Sequence, residues 1–400
     1  MAHLHPFRAL RPVPEKAAEV ACVPYDVINT AEARQLAQGK PASFLHIIRP
    51  EIDLPEGVDE HEDAVYETGA KNLKAFAAGP DSLQEALPSL YVYRLIMDGR
   101  SQTGIFGCVS VDDYDNDVIL KHELTRPVKE DDRTRHILEQ QAHAEPVMLT
   151  FKDHPGVAQV IAQTMDLEPL YDLTAVDGVR HTIWRVSQPD RLVDLFAGID
   201  HLYVADGHHR CKAASRAAEA TAGDGEVRFF PAVLFPMGDM AILSYNRIVH
   251  TLPGGPEAFL DTLRKQFSLV PASDATPSTK GDICIYLAGA WYEMTLPAAT
   301  GTAVVDRLDV SRLSEHILSP LLGIKDPRTD PNIDFVGGIR GTTELEKRVD
   351  SGQAQMAISM VPTSIQELVD VSDAGLLMPP KSTWFEPKLR SGLLVHLFGS

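Results

Sequence analysis

The chain has little cysteine, and what it has is scattered. Cys22, Cys108, Cys211 and Cys284 include no CxxC pair, so neither a disulfide framework nor a cysteine-ligated zinc is expected. Free thiols suit a reducing compartment. No apolar run is long enough to span a bilayer, and the opening residues MAHLHPFRALRPVPEK lack a signal-peptide build. The expected location is the cytoplasm, with no membrane partner. Basic residues are outnumbered: 37 Lys plus Arg stand against 56 Asp plus Glu, a formal net charge of −19. Sequence-independent nucleic-acid binding, which needs cations to displace counterions, is not expected. Also missing are a Walker A loop, a Rossmann GxGxxG, a GxSxG elbow and an HExxH zinc motif. A nucleotide, if bound, needs another device.

The 400 residues, 44% apolar and 23% charged, suffice for a full core in two domains or one large composite one. LPGGP (Leu252 to Pro256) is the best linker, dividing an N-terminal α+β region, 1–250, from a C-terminal α+β region, 251–400. A helix is expected to begin at Asn29 or Thr30, with Thr30 as cap to AEARQLAQG and Gly39 ending it, and Phe44 to Ile48 reads as a strand after it. Leu90 to Met97 and Thr103 to Val111 form a hairpin around Asp98-Gly99. Val227 to Phe235 and Ala241 to Val249 suggest a second hairpin around Met237-Gly238-Asp239. Strands mixed with helices and hairpins predict an α+β or mixed α/β fold rather than a regular doubly wound one.

The stretch that organises the rest is His201 to Ala220, HLYVADGHHRCKAASRAAEA. It reads as a buried strand, a tight turn at Asp206-Gly207, and a helix opening near His208. That build leaves the first helical N–H groups pointing out of the helix, which is an anion site. His208, His209, Arg210 and Lys212 crowd positive charge where the helix dipole disfavours it. An anion, phosphate above all, would relieve the conflict. The plain alternative is a surface helix with scattered basic residues. Paired histidines point about a quarter-turn or more apart, so histidine-bound zinc is not expected. A magnesium ion carried by nucleotide phosphates needs only one or two carboxylates, and Asp206 is placed to be one.

A second cluster is LKHELTRPVKEDDRTRHILEQQ from Leu120. Its helical part, including Asp132, Arg133 and His136, reads as a solvated face laced with ion pairs. His122-Glu123-Leu124-Thr125 precedes the periodic pattern and can point into a cleft. Arg49 and Glu51 flank Pro50, and Asp26 follows Pro24-Tyr25. Further along, Gly337-Gly338 makes another strand-plus-glycine turn, and MPPKSTWFEPKLRSGL carries Lys381, Ser382, Thr383 and Lys388 around Trp384 and Phe385.

CVPYDVI, SFLHIIRPEIDLP, KHELTRPVKEDDRTRH, VADGHHR, SYNRIV, DFVGGIRG and MPPKSTWFEPKLRSGL, in this order, resemble a widespread bacterial family catalogued as a domain of unknown function, DUF1015. The resemblance runs from Pro6 to Phe398. DGHHR with an upstream His-Glu pair is also similar to free-serine kinases of the ParB/sulfiredoxin-like fold. That likeness implies a ParB/sulfiredoxin-like core with hairpins and additional terminal α+β elements. It implies transfer of a phosphoryl group from a nucleotide to the hydroxyl of L-serine; the expected cofactor is Mg2+ with ATP or ADP. Glu123 would be the base with His122 beside it, and Gly207, His208, His209 and Arg210 would hold phosphates. Asp206 would act in catalysis and as the metal ligand. Arg49, Glu51 and Arg126 are the candidates for the amino acid, with Asp26 and Glu51 as reserve carboxylates. Sulfiredoxins place a reactive cysteine in the related turn; here His208 stands there and Cys211 follows the arginine, which disfavours thiol chemistry. The expected partners are a nucleotide and a small hydroxylated amino acid, and a homodimer is an assembly open to the chain. The other reading is a nucleotide-binding switch without turnover, acting through a protein partner.

Overall fold

The computed structural model describes residues 1–221 and 223–399. It is a mixed α/β fold in two compact units. One comprises Met1–Lys121, Thr125–Met240 and Pro387–Ser400; the other comprises His122–Leu124 and Ala241–Glu386.

The first unit is built on a nine-stranded sheet. Its order is Ile119–Leu120, Leu202–Asp206, Val147–Phe151, Phe229–Pro236, Arg100–Ser110, Tyr91–Met97, Arg180–Arg185 and Tyr171–Thr174, with Leu4–His5 paired to Arg100–Ser110. Leu202–Asp206 is parallel to Ile119–Leu120 and Phe229–Pro236 is parallel to Val147–Phe151; the other pairings are antiparallel. The hairpin at Asp98-Gly99 forms as expected, with both residues at positive φ. Leu149, Phe151, Val204, Ala232 and Leu234 put the centre of this sheet in the main core. The helix His208–Ala220 follows its strand directly and buries Cys211, Ala214 and Ala218 in the same core. Their spacing of three and four residues makes one helical face, and small side chains let that face lie close to the sheet.

The second unit is an antiparallel six-stranded sheet ordered Val270–Pro271, Ala290–Thr295, Asp282–Leu287, Met356–Met360, Tyr245–Val249 and Ile333–Gly337.

Several expectations change. Phe44 to Ile48 is not a strand: Leu45–Ile48 is a short helix. Its isoleucines are buried with Val20, Tyr25 and Leu73, and this packing overrides their β preference. Asn29, not Thr30, caps the helix Thr30–Ala37, through a reciprocal capping box with Glu32. Phe229–Pro236 and Tyr245–Val249 are not a hairpin. They lie in different sheets, one in each unit. The units also divide at Met240/Ala241 rather than near residue 250, because Tyr245–Val249 already pairs with Ile333–Gly337 and Met356–Met360. Gly254, at φ +75, instead opens the helix Gly255–Gln266. The C-terminal segment returns to the first unit, where His396–Leu397 pairs with Ala142–His143.

Candidate functional site

Strand Leu202–Asp206 shifts register between Val204 and Asp206 against its neighbour. Such a bulge re-aims the side chains beside it, and here it lies where the strand delivers Asp206. Gly207 then turns the chain at φ +102, a conformation costly for any residue with a Cβ. A Cβ there would meet Val147 Cγ1 at 3.1 Å and Arg210 Cζ at 3.2 Å. The helix starts at His208, and its N-cap, Gly207, has no side chain with which to cap the first turn.

The charges around this turn are balanced by the protein itself. Lys388 Nζ donates to Asp206 Oδ2 at 3.1 Å, and Arg210 Nη2 lies 3.9 Å from the same oxygen. Partial burial would raise the Asp206 carboxyl, but Lys388 and Arg210 outweigh it and hold the group below the usual carboxylate range. Burial pushes His208 down to about 3, so its ring is neutral at pH 7. His209 Nε2 accepts the Arg126 amide at 3.1 Å, so that nitrogen carries no proton. Arg210 turns inward: its Nη1 donates to the Pro146 carbonyl. Burial opposes its charge, but Asp26, Asp206 and Glu145 overcome that cost and keep it protonated. The expectation of unanswered positive charge therefore needs correcting. His208 is neutral, and Arg210 faces carboxylates.

Beneath Arg210 runs a buried polar network. Glu145 Oε1 accepts the Tyr25 amide at 3.1 Å and the Ser391 hydroxyl at 3.3 Å, and Oε2 lies 3.6 Å from Arg133. Burial raises the Glu145 carboxyl against the pull of Arg210 and Arg133. Arg133 covers the Tyr25 ring at 3.9 Å and its Nε donates to Asp132 Oδ2 at 2.9 Å. Asp132 Oδ1 accepts the Tyr66 hydroxyl at 3.0 Å and lies 3.3 Å from His61 Nδ1. Asp132, Arg133 and His136 are all buried. The expected solvated face is thus wrong for this side of Pro127–Gln140: Asp132 and Arg133 pair with each other and are enclosed by Tyr66, His61, Tyr25 and Glu145, all from outside the helix.

The other expected site residues divide. Arg126 is exposed, and its backbone joins the turn through His209. Arg49 and Glu51 are buried and form an ion pair, with Nε and Oε1 2.8 Å apart, while Arg49 Nη2 donates to Thr30 Oγ1 at 2.9 Å. His122 and Glu123 belong to the second unit. There the Met378 amide donates to the His122 carbonyl at 2.8 Å, and Thr383 Oγ1 lies 3.4 Å from His122 Nε2. Glu123 is half-buried. Cys211 is fully buried, and burial pushes its thiol up to about 12, unsuited to thiolate chemistry. The residues that sequence reasoning did not place at the turn are Lys388 and Glu145. The PKLRSG run carried a signal for the first. Glu145, alone among apolar neighbours, carried none.

A family model described as a protein of unknown function, DUF1015, matches residues 4–311. The chain belongs to that family. Similar solved structures include SbnI with C-terminal truncation from Staphylococcus aureus, at 14% identity and a TM-score of 0.39, covering 73% of this chain and 87% of that one. A free serine kinase in complex with AMP is similar at 11% identity and a TM-score of 0.38, covering 72% and 92%. A conserved hypothetical protein from Pyrococcus furiosus is similar at 12% identity and a TM-score of 0.37, covering 73% and 95%. No curated protein matches the chain.

Proposed function

We propose that this protein is a nucleotide-dependent small-molecule kinase that phosphorylates the hydroxyl of a free amino acid, L-serine first among candidates. The observation that carries the reading is the helix start behind Gly207, an N-cap with no side chain of its own, with ionised Asp206 and Lys388 at its mouth. Backbone N–H groups in that geometry favour phosphate oxygens. The neutral His208 ring offers a hydrogen bond rather than a charge. His209 keeps the Arg126 backbone beside the turn, and Arg210 braces the turn from below through Pro146.

Asp206 fits a magnesium ion carried by ATP or ADP. It is ionised, partly exposed and hydrogen-bonded to a lysine that can turn toward phosphate. The ion would neutralise charge on the transferring phosphoryl group. Glu123 is proposed as the base that takes the serine hydroxyl proton, with His122 as its neighbour. The serine oxygen then bonds to phosphorus as the bond to the leaving nucleotide breaks. Arg126 is the better candidate of the two arginines for the substrate carboxylate, since Arg49 already holds Glu51.

Purified protein incubated with Mg2+, L-serine and either ATP or ADP should yield O-phosphoserine by mass spectrometry. Saturable nucleotide binding with no product from serine or other hydroxylated amino acids would leave a nucleotide-binding switch. Absence of nucleotide binding would overturn both readings.

A further inference from the structure

The second unit holds a cationic corner that the kinase reading does not use. Arg247 lies on strand Tyr245–Val249, opposite Phe335 of Ile333–Gly337. It is 3% exposed. Five other arginines are comparably buried, and each has a carboxylate: Arg11 with Glu85, Arg49 with Glu51, Arg133 with Asp132, Arg210 with Asp206 and Arg390 with Asp177. Among the described residues, Arg247 pairs with none. Its Nη1 donates to the Tyr245 carbonyl, and its Nη2 to the Lys381 carbonyl at 3.2 Å. Its guanidinium carbon lies 5.4 Å from the Phe335 ring centre. Burial pushes Arg247 down to about 10, so it is still charged at pH 7. A buried charge without a counter-charge is expensive, and carbonyl dipoles use only part of a five-donor fork.

The surroundings are built rather than incidental. Lys381 Nζ sits 5.4 Å from the centre of the Tyr245 ring. Trp384 and Phe335 meet that ring edge-on, at 5.1 and 5.8 Å. A Cβ on Gly337 would come within 2.8 Å of the Trp384 indole, so glycine is what lets the ring lie against the strand. Lys381 itself is held at φ +57, uncommon for a residue with a side chain. Ser382 Oγ pins this loop by donating to the Pro379 carbonyl at 2.6 Å. Tyr245, Phe335, Lys381 and Trp384 are all partly exposed.

We propose that this corner is a binding site for the oxyanion of a small organic acid, a carboxylate or a phosphate monoester on a planar body. The oxyanion supplies the counter-charge that Arg247 lacks, in a bidentate contact, Lys381 adds a second cation, and the planar body packs flat on one of the Tyr245 and Trp384 rings and edge-on to the other, because the two are perpendicular. The site is carried by the second unit alone and does not depend on the kinase reading.

The test is a titration of full-length protein with acetate, benzoate, inorganic phosphate and phenyl phosphate, followed by calorimetry and tryptophan fluorescence. The aryl acid of at least one class should bind saturably, at least tenfold tighter than its inorganic or aliphatic counterpart. The class that wins identifies the anion as carboxylate or phosphate. Lys381→Ala and Arg247→Lys, each checked for folding by circular dichroism, should weaken it at least tenfold. Trp384→Phe, which keeps an aromatic face, should remove the fluorescence change and weaken calorimetric binding less than either cation variant does. No saturable binding to the wild-type protein, or binding that Lys381→Ala and Arg247→Lys leave unchanged, would overturn the proposal.

Discussion

Replacing Gly207 with alanine probes the turn at the atom where it is tightest. At φ +102 an alanine leaves its preferred backbone regions, at a cost of roughly 1–3 kcal/mol. The added methyl also meets Val147 Cγ1 at 3.1 Å and Arg210 Cζ at 3.2 Å. The valine methyl can shift by a few tenths of an ångström. The guanidinium cannot do so cheaply, because it is tied to the Pro146 carbonyl and faces Asp206. Crowding of this kind adds about 1–3 kcal/mol. The expected destabilisation is therefore about 2–6 kcal/mol, a large share of the roughly 5–15 kcal/mol that stabilises a domain. Urea denaturation should show a lower midpoint with an unchanged slope. In conditions where the variant is still folded, calorimetry should show nucleotide affinity reduced at least tenfold. A variant within about 0.5 kcal/mol of wild type, the range of an ordinary surface change, and with normal nucleotide affinity would refute both the strain and the phosphate turn.

Three further outcomes are expected. Glu123→Gln should lower phosphoryl transfer by about 10²–10⁴ while calorimetric nucleotide affinity is kept; normal turnover would remove it as the base. Arg210→Ala strands Asp26, Glu145 and Asp206 without their shared cation. It should cost about 3–5 kcal/mol in chemical denaturation, and unchanged stability would show that the network does not hold the turn. Acid should destabilise the protein early. Burial pushes His143, His181 and His208 each to about 3, against about 6.5 when unfolded. The unfolded chain therefore binds more protons, and stability present above about pH 6.5 is lost as pH falls, by up to about 1.4 kcal/mol per pH unit for each histidine. The depressed Asp206 carboxyl adds to the loss below about pH 4. Urea midpoints that stay level from pH 7 to pH 4.5 would contradict neutral buried histidines.

Local physics was written in the sequence. The strand, glycine turn and helix at Leu202–Ala220 could be read directly, because a turn at positive φ wants glycine and an alanine-rich run wants helix. The Asp98-Gly99 hairpin followed from the same kind of short-range rule, as did a helix from near Lys129, which in the structure starts two residues earlier at Pro127. Partnership over long separations could not be read that way. Asp132 and Arg133 look like surface charges until Tyr66, Tyr25 and Glu145 close around them. Lys388 reaches Asp206 across 182 residues, since the last segment folds back into the first unit. The supposed hairpin around Gly238 had sound turn chemistry, yet its two strands pair in separate sheets. Local propensity selects an element and its ends. Which charges lose water, and which carboxylate then answers each arginine, is settled only when distant segments pack, because the cost of burying a charge depends on every group that surrounds it.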